Sequence, residues 1–349
     1  MTPSRGPAEE VEVAGRVVRV SNPDRVYFPE IGATKRDLVD YYLAVGEGIV
    51  RALRDRPCMM HRYPDGLAGD KVHQKQLPKG APDWVETAPV YFPRFKRTVR
   101  ELCVTDLAHV VWAVQMSTVE LHPWNSRRAD VERPDEWRID LDPMPEAGLD
   151  QVRQVAAVVH ELLDELGIVG YPKTSGGHGL HVYVRIAPDH EHADVRRAAL
   201  AFAREVERRA PELVTTTWWR KDRDPAAVFV DYNQNARDHT IAAAYSVRGT
   251  PTATVSCPIT WDEVADVEPS DLTIATVPER FARLGDLHAH IDDVAHDIGS
   301  CASWVWACQR CSSSSSSCCG RSSSTATGHG TATPSSASSR RWPRSRSAS

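Results

Sequence analysis

Two carboxylates stand two residues apart in the run Arg138-Ile139-Asp140-Leu141-Asp142-Pro143, and a third, Asp231, closes the apolar run Val228-Phe229-Val230. Between them in the chain lies Thr174-Ser175-Gly176-Gly177-His178-Gly179-Leu180-His181. On a strand, side chains at i and i+2 share a face, so Asp140 and Asp142 point together while Ile139 and Leu141 point into a core. Adjacent like charges repel, and a cation between them removes the repulsion. Three carboxylates on neighbouring strand ends suit a hard cation, Mg²⁺ or Mn²⁺, better than zinc. Two such ions clamp the attacking and leaving oxygens of an in-line phosphoryl displacement. The glycines let backbone N–H groups approach a phosphate, and Ser175, His178 and His181 add polar groups to that cradle. A D-x-D pair alone is as readily a strand end, and a glycine cluster a turn, so the weight rests on their combination.

These groups need elements to hold them. The alternation over Val11 to Val20 predicts a strand. Thr34 predicts the N-cap of a helix over Lys35 to Arg54, and Pro57 to Arg62 predicts another strand. Residues 63–83 read as a connection, Val90 to Phe92 and Val99 to Val104 as short strands, and Leu107 to Met116 as a helix. Trp137 to Leu141 is an expected strand. Gly148 to Leu166 is an expected amphipathic helix, with Val152, Val155, Ala156, Val159, Leu162, Leu163 and Leu166 at helical spacing and Gly167 as its stop. His181 to Ile186, Val228 to Asp231 and Ile241 to Val247 are further expected strands, and Val195 to Arg209 a helix. Strands alternating with crossover-length helices indicate a mixed α/β fold of the α+β kind.

Composition sets limits on the partner. No apolar run reaches the roughly 18 residues of a membrane span, and the polar start, with Glu9 and Glu10, has no signal pattern, so the reading is cytoplasmic. Of 42 basic residues six lie in residues 301–349, leaving 36 against 47 acidic ones, a net charge of −11 for the body. Such a body binds nucleic acid only through a local basic patch. Cys58, Cys103 and Cys257 are scattered through the body and read as free thiols. Residues 301–349 are Ser-, Arg- and Cys-rich with no acidic residue, and are expected to be disordered. Cys301, Cys308, Cys311, Cys318 and Cys319 have no scaffold to set a zinc tetrahedron. The abrupt change of composition reads instead as translation in a shifted frame.

The order D-x-D, then S-G-G-x-G-L-H, then an apolar strand ending in Asp, resembles the archaeo-eukaryotic primase superfamily. Closer still, the chain is similar to the polymerase domain of bacterial ligase D and its stand-alone actinobacterial relatives. Ser21-Asn22-Pro23-Asp24-Arg25-Val26-Tyr27-Phe28-Pro29 with Thr34-Lys35, and Tyr245-Ser246-Val247-Arg248-Gly249, extend the resemblance over about residues 15–295. It implies a flexible start (1–14), then one domain (15–295) in which an RRM-like core (131–295) packs with an N-terminal α/β module (15–130). It implies template-directed nucleotidyl transfer to a 3′-hydroxyl at DNA gaps or ends, with Mn²⁺ or Mg²⁺ in a two-metal site.

By position, the resemblance makes Asp140, Asp142 and Asp231 the metal-binding and catalytic residues. Ser175, His178, His181, Gln234 and Arg248 fall around the incoming nucleotide's phosphates, His122 near its sugar, and Asn22, Arg25 and Lys35 around a 5′-phosphate on downstream DNA. The implied partners are 5′-phosphorylated DNA, an NTP or dNTP, Ku and a separate ligase, ligase and nuclease domains being expected on other chains. His178 stands where relatives often have lysine, Val72 and His73 where they have two phenylalanines, and Thr250 where a basic residue is common. A non-catalytic DNA end-bridging protein and a metal-dependent phosphohydrolase are the competing readings, which the clustered acids and the Ser175/Arg248 cradle respectively disfavour.

Overall fold

The first element turns on two left-handed residues. Ala14 (φ 49°) and Gly15 (φ 72°) supply the paired positive φ values of a type I′ turn. They join Ala8–Val13 (β1) to Arg16–Ser21 (β2) in an antiparallel hairpin. The expected single strand from Val11 is therefore two, and residues 8–13 are paired backbone rather than a loose end. The structure, a computed structural model, describes residues 7–299. The tail, with its five cysteines and the shifted-frame reading, lies outside the described residues.

Two short strands, Val26–Phe28 (β3) and Ala33–Thr34 (β4), lead into Lys35–Ala44 (α1). Thr34 Oγ1 accepts from the Asp37 N–H at 3.2 Å, and the Asp37 carboxylate accepts from the Thr34 N–H at 2.7 Å. This reciprocal capping box fixes the helix start. The helix does not run on to Arg54. It breaks at Val45 (φ −105°, ψ 22°), and Gly46–Leu53 (α2) begins there, where Gly46 and Gly48 weaken continuous helix.

A five-stranded sheet follows: Pro57–Arg62 (β5), Val72–Gln74 (β6), Thr87–Phe92 (β7), Arg97–Cys103 (β8) and Thr118–Pro123 (β9). Its order is β6-β5-β8-β7, with β9 also on β5. Leu107–Gln115 (α3), capped by Asp106, packs between β8 and β9 in the chain. Ser126–Arg127 (β10) and Asp130–Pro134 (β11) form a small hairpin.

The second five-stranded sheet holds the expected motifs. Its elements are Glu136–Pro143 (β12), Leu149–Glu165 (α4), Tyr171–Thr174 (β13), Leu180–Arg185 (β14), His192–Arg209 (α5), Val214–Thr215 (β15) and Val228–Asp231 (β16). The order is β13-β14-β12-β16-β15, antiparallel except at β15/β16. With α4 and α5 as crossovers, this is the βαββαβ arrangement of an RRM-like core. Ile139, Leu141, Val182 and Val230 join Val152, Val155, Val159, Phe202 and Val206 of the helices in the principal core. The expected strand over Ile241 to Val247 is a loop. Tyr245 is left-handed (φ 64°), and the backbone bonds scatter to Leu121, Ser256 and Thr254 instead of forming one ladder. Val277–Leu284 (α6) is the last helix described. Among the described residues no helix is long and apolar enough to cross a membrane.

Buried charge ties the two sheets together. Arg56 pairs with Asp135 at 2.6 Å, and Arg138 reaches Glu136 at 2.9 Å and the Pro123 carbonyl at 3.0 Å.

Candidate active site

Register builds a polar row across four strands. Lys173 on β13 lies opposite His181 on β14, His181 opposite Asp140 on β12, and Asp140 opposite Asp231 on β16. Period-2 alternation sends their neighbours Leu141, Leu180 and Val230 to the apolar face. Asp142, two residues beyond Asp140, joins the polar face before Pro143 ends the strand. The strand thus brings Asp140, Asp142 and Asp231 together without any loop adjustment.

Burial and mutual repulsion outweigh the nearby cations in this triad. Burial, then repulsion from Asp231 and Asp142, pushes the Asp140 carboxyl well above its ordinary range. Burial and Asp231 also raise Asp142, against the opposing pull of Arg220 and Arg223. Asp231 is aimed by its own turn: its Oδ1 accepts from the Asn233 N–H at 2.8 Å, and its Oδ2 from the Gln234 amide at 3.1 Å. An all-carboxylate donor set, with Asp140 and Asp142 both resisting ionisation, fits a hard divalent cation.

His181 is engaged inside the row. Its Nε2 is 3.4 Å from Asp140 Oδ1 and its Nδ1 is 2.7 Å from Lys173 Nζ, which also bonds Ser256. Burial, then the charges of Lys173 and Arg248, hold its pKa well below the usual histidine value. Burial and Arg248 likewise depress Lys173. His181 therefore presents a neutral imidazole to Asp140.

The glycine turn opens on the same side. Ser175 Oγ accepts from the N–H groups of Gly177 (3.0 Å) and Gly179 (3.1 Å), which folds the loop back on itself. Gly176 has φ +70°, and a Cβ there would lie 2.5 Å from Arg248 Cγ; one on Gly179 would lie 2.3 Å from the Leu141 carbonyl oxygen. Both must be glycine for the turn to seat against β12 and Arg248. His178 is exposed at its tip and, with Gly176, Gly177 and Thr250, borders a cavity of about 730 Å³.

One residue that holds this site together was not expected. Glu120, on β9, is a buried carboxylate with side-chain exposure of 3%. Its Oε2 accepts from His122 Nε2 at 3.0 Å and Arg248 Nε at 3.1 Å; its Oε1 accepts from Tyr63 and Lys71 at 2.9 Å each. Burial opposes its ionisation, but the hydrogen bonds of His122 and His61 and the Arg248 charge prevail and hold it far below the carboxylate range. Arg248 also donates to the Ser175 carbonyl at 2.5 Å, so it ties the first sheet to the glycine turn of the second. Burial pushes His122 down to about 3, so it too is neutral. His122 stacks on His61 (centroids 3.7 Å apart), and His61 on His73 (4.4 Å). The one sequence signal for Glu120 was a charged residue inside the apolar run Val119–Leu121, two positions before His122.

Among the described residues, the set of metal-type donors whose ligand atoms all lie within 4.8 Å of one another is His61, Glu120 and His122. Lys71 and Arg248 already neutralise that carboxylate, which disfavours it as a cation site. Asn22, Arg25 and Lys35 form a separate cluster, joined through backbone bonds from Arg25 N–H to the Asn22 carbonyl (3.1 Å) and from Lys35 N–H to the Arg25 carbonyl (2.8 Å). Arg25 is exposed, and its guanidinium rests on the Pro64 carbonyl and Asp65. Lys35 is buried, and its ammonium donates to the Ser21 carbonyl (3.0 Å) and to the carbonyl (2.8 Å) and Oε1 (2.9 Å) of Gln115. Burial, then the Arg25 charge, brings its pKa down to about 8.

The chain resembles known proteins over this same span. Residues 34–288 match the family model for the LigD primase-polymerase domain. The multifunctional non-homologous end joining protein LigD of Mycolicibacterium smegmatis is 34% identical over 277 residues, 79% of this chain and 36% of that protein. LigD of Pseudomonas aeruginosa is 32% identical over 269 residues, 76% of this chain and 32% of that protein. The chain thus spans about a third of these relatives. Among solved structures, the polymerase domain of Mycobacterium tuberculosis ligase D in complex with DNA superposes with a TM-score of 0.74 at 32% identity, covering 80% of this chain and 99% of that one. By sequence and fold alike, the chain belongs to the LigD primase-polymerase domain family.

Proposed function

We propose that this chain is a template-directed nucleotidyltransferase that extends a 3′-hydroxyl at gaps or ends during DNA end joining. The observation that carries the reading is the direct pairing of Asp140 with Asp231, with Asp142 on the same face, below a turn that Ser175 and Arg248 organise. Asp140, Asp142 and Asp231 would hold divalent cations, Mn²⁺ or Mg²⁺, which supply charge neutralisation at the reacting phosphate.

The chain's own groups do the positioning. Arg248 and the Ser175 hydroxyl take the triphosphate, on a turn whose Gly177 and Gly179 N–H groups Ser175 already holds, and neutral His122 faces the sugar. The 3′-oxygen then forms a bond to the α-phosphorus as the bond to pyrophosphate breaks, with rate gained mainly from alignment and charge. Neutral His181 stabilises Asp140 without competing for phosphate charge. Exposed Arg25, with Asn22, takes a recessed 5′-phosphate on the downstream strand, and Lys35 joins them by exchanging a carbonyl partner for the anion. Ku and a ligase activity are what such a reaction needs before and after it. An end-bridging protein would gain nothing from three clustered acids beside DNA.

The test is extension of a primer across a gapped, 5′-phosphorylated duplex with Mn²⁺ and NTPs. Asp231→Ala should abolish product. Undiminished extension by that variant would sink the mechanism, and equal affinity for 5′-phosphate and 5′-hydroxyl gaps would remove the Asn22/Arg25/Lys35 pocket.

A further inference from the structure

Two adjacent tryptophans, Trp218 and Trp219, are 49% and 63% exposed on the loop that leads into β16. Large indoles left in water on one short loop mark a contact surface rather than core packing. The loop is held in shape. Arg223 donates to the Thr217 carbonyl at 2.8 Å and the Trp218 carbonyl at 3.0 Å, and the Asp222 N–H donates to the Trp219 carbonyl at 2.9 Å.

The indoles are also connected to the reacting groups. Trp219 lies edge-on to Trp218 (centroids 6.4 Å apart), and Trp218 lies 6.5 Å from Tyr232, the residue after Asp231. Arg196 sits over both Trp218 (5.6 Å) and Tyr232 (5.0 Å). Arg220 and Lys221 follow directly and are exposed, with no ion-pair partner among the described residues. On a body with a net charge of −11, this is a local cationic patch with aromatic faces, placed at the rim of the aspartate triad.

We propose that Trp218 and Trp219 form a stacking platform for the unpaired bases of single-stranded nucleic acid, and that Arg196, Arg220 and Lys221 hold its phosphates. Interleaved aromatic and cationic groups are what single-strand binding requires, because every base has a π-face and every linkage a charge. The proposal rests on the polymerase reading and names the strand segment that approaches the triad. The platform selects single strands over blunt duplex, whose bases are already stacked.

The experiment uses the full chain without nucleotide or metal, and a fluorescently labelled oligothymidylate as probe. The Trp218→Ala/Trp219→Ala variant should bind it roughly tenfold or more weakly, as expected for loss of stacked bases. Trp218→Phe/Trp219→Phe should retain most of the affinity, and the variants' binding of a blunt duplex should match wild type. Oligothymidylate should quench wild-type tryptophan fluorescence, and the quench should shrink in the alanine variant. Unchanged affinity with an undiminished quench overturns the proposal. So does a change of oligomeric state in sedimentation without loss of oligonucleotide affinity, which would assign the indoles to a protein contact. Asp140→Ala/Asp142→Ala should keep the quench, so loss of extension in that variant reports on the catalytic reading alone.

Discussion

Replacing Glu120 by glutamine should damage both stability and nucleotide binding, though the side chain keeps its shape. Oε1 accepts from Tyr63 and Lys71 and Oε2 from His122 and Arg248, so the amide nitrogen of Gln must face two donors whichever way it turns. Two cations, Lys71 and Arg248, also lose their counter-charge. Those cations are partly exposed, so the main cost is two unsatisfied donors, about 2–4 kcal/mol. For a domain of this size that is roughly 4–16 °C in melting temperature.

The defect should depend on pH. Glu120 is held below its ordinary range, so its stabilisation is present above the unfolded value of 4.5 and is lost as pH falls below it. Denaturant melts at pH 7 and pH 4 should therefore show a large gap between wild type and Glu120→Gln at neutral pH that narrows in acid. Because Arg248 and His122 share one anchoring oxygen, KM for the nucleotide should rise roughly tenfold, the equivalent of about 1.4 kcal/mol. A variant that melts within about 1 kcal/mol of wild type at pH 7 and keeps its KM would refute the network as the organiser of the cradle.

Asp140→Asn should make the metal-free protein more stable, by about 1–3 kcal/mol, because it removes one of three mutually repelling buried acids. A carboxyl raised in the fold loses stability as pH rises above 3.8, so the wild-type melting temperature should fall over that range more steeply than the variant's. Mn²⁺ affinity, followed by calorimetry, should weaken as pH is lowered toward 4, since protons compete for Asp140 and Asp142; a flat profile would place the ion elsewhere. Gly179→Ala should lower stability by roughly 2–4 kcal/mol, because its Cβ meets the Leu141 carbonyl at 2.3 Å, and thermal melts will show whether the turn tolerates it. Arg25→Ala should weaken binding of a 5′-phosphorylated gap several-fold in titrations while leaving the 5′-hydroxyl gap unchanged, as expected for loss of one charge-assisted contact.

Much of the catalytic sheet was legible because its signals are local. The i, i+2 spacing of Asp140 and Asp142, the stop at Pro143 and the six spaced apolar positions from Val152 to Leu163 in α4 each act within one element. What was missed depends on contacts distant in sequence. The left-handed Tyr245 is set by packing on Phe281 and Asp286 that no single-segment periodicity carries. His181 reads as a phosphate ligand until the β13/β14/β12 register puts Lys173 on one side and Asp140 on the other. Lys35 reads as part of a 5′-phosphate pocket, yet folding buries its ammonium on Gln115, eighty residues away. Glu120 is the clearest case. Its meaning lies in partners from Tyr63 to Arg248, and one charged residue in a β-strand says nothing of them.

The most direct measurement is nucleotide incorporation on a gapped, 5′-phosphorylated duplex by wild type and by Asp140→Asn, each first shown to be folded by its melting curve. The two-metal reading expects a variant that melts at or above wild type and forms no product. Incorporation at the wild-type rate by a folded Asp140→Asn protein would contradict it.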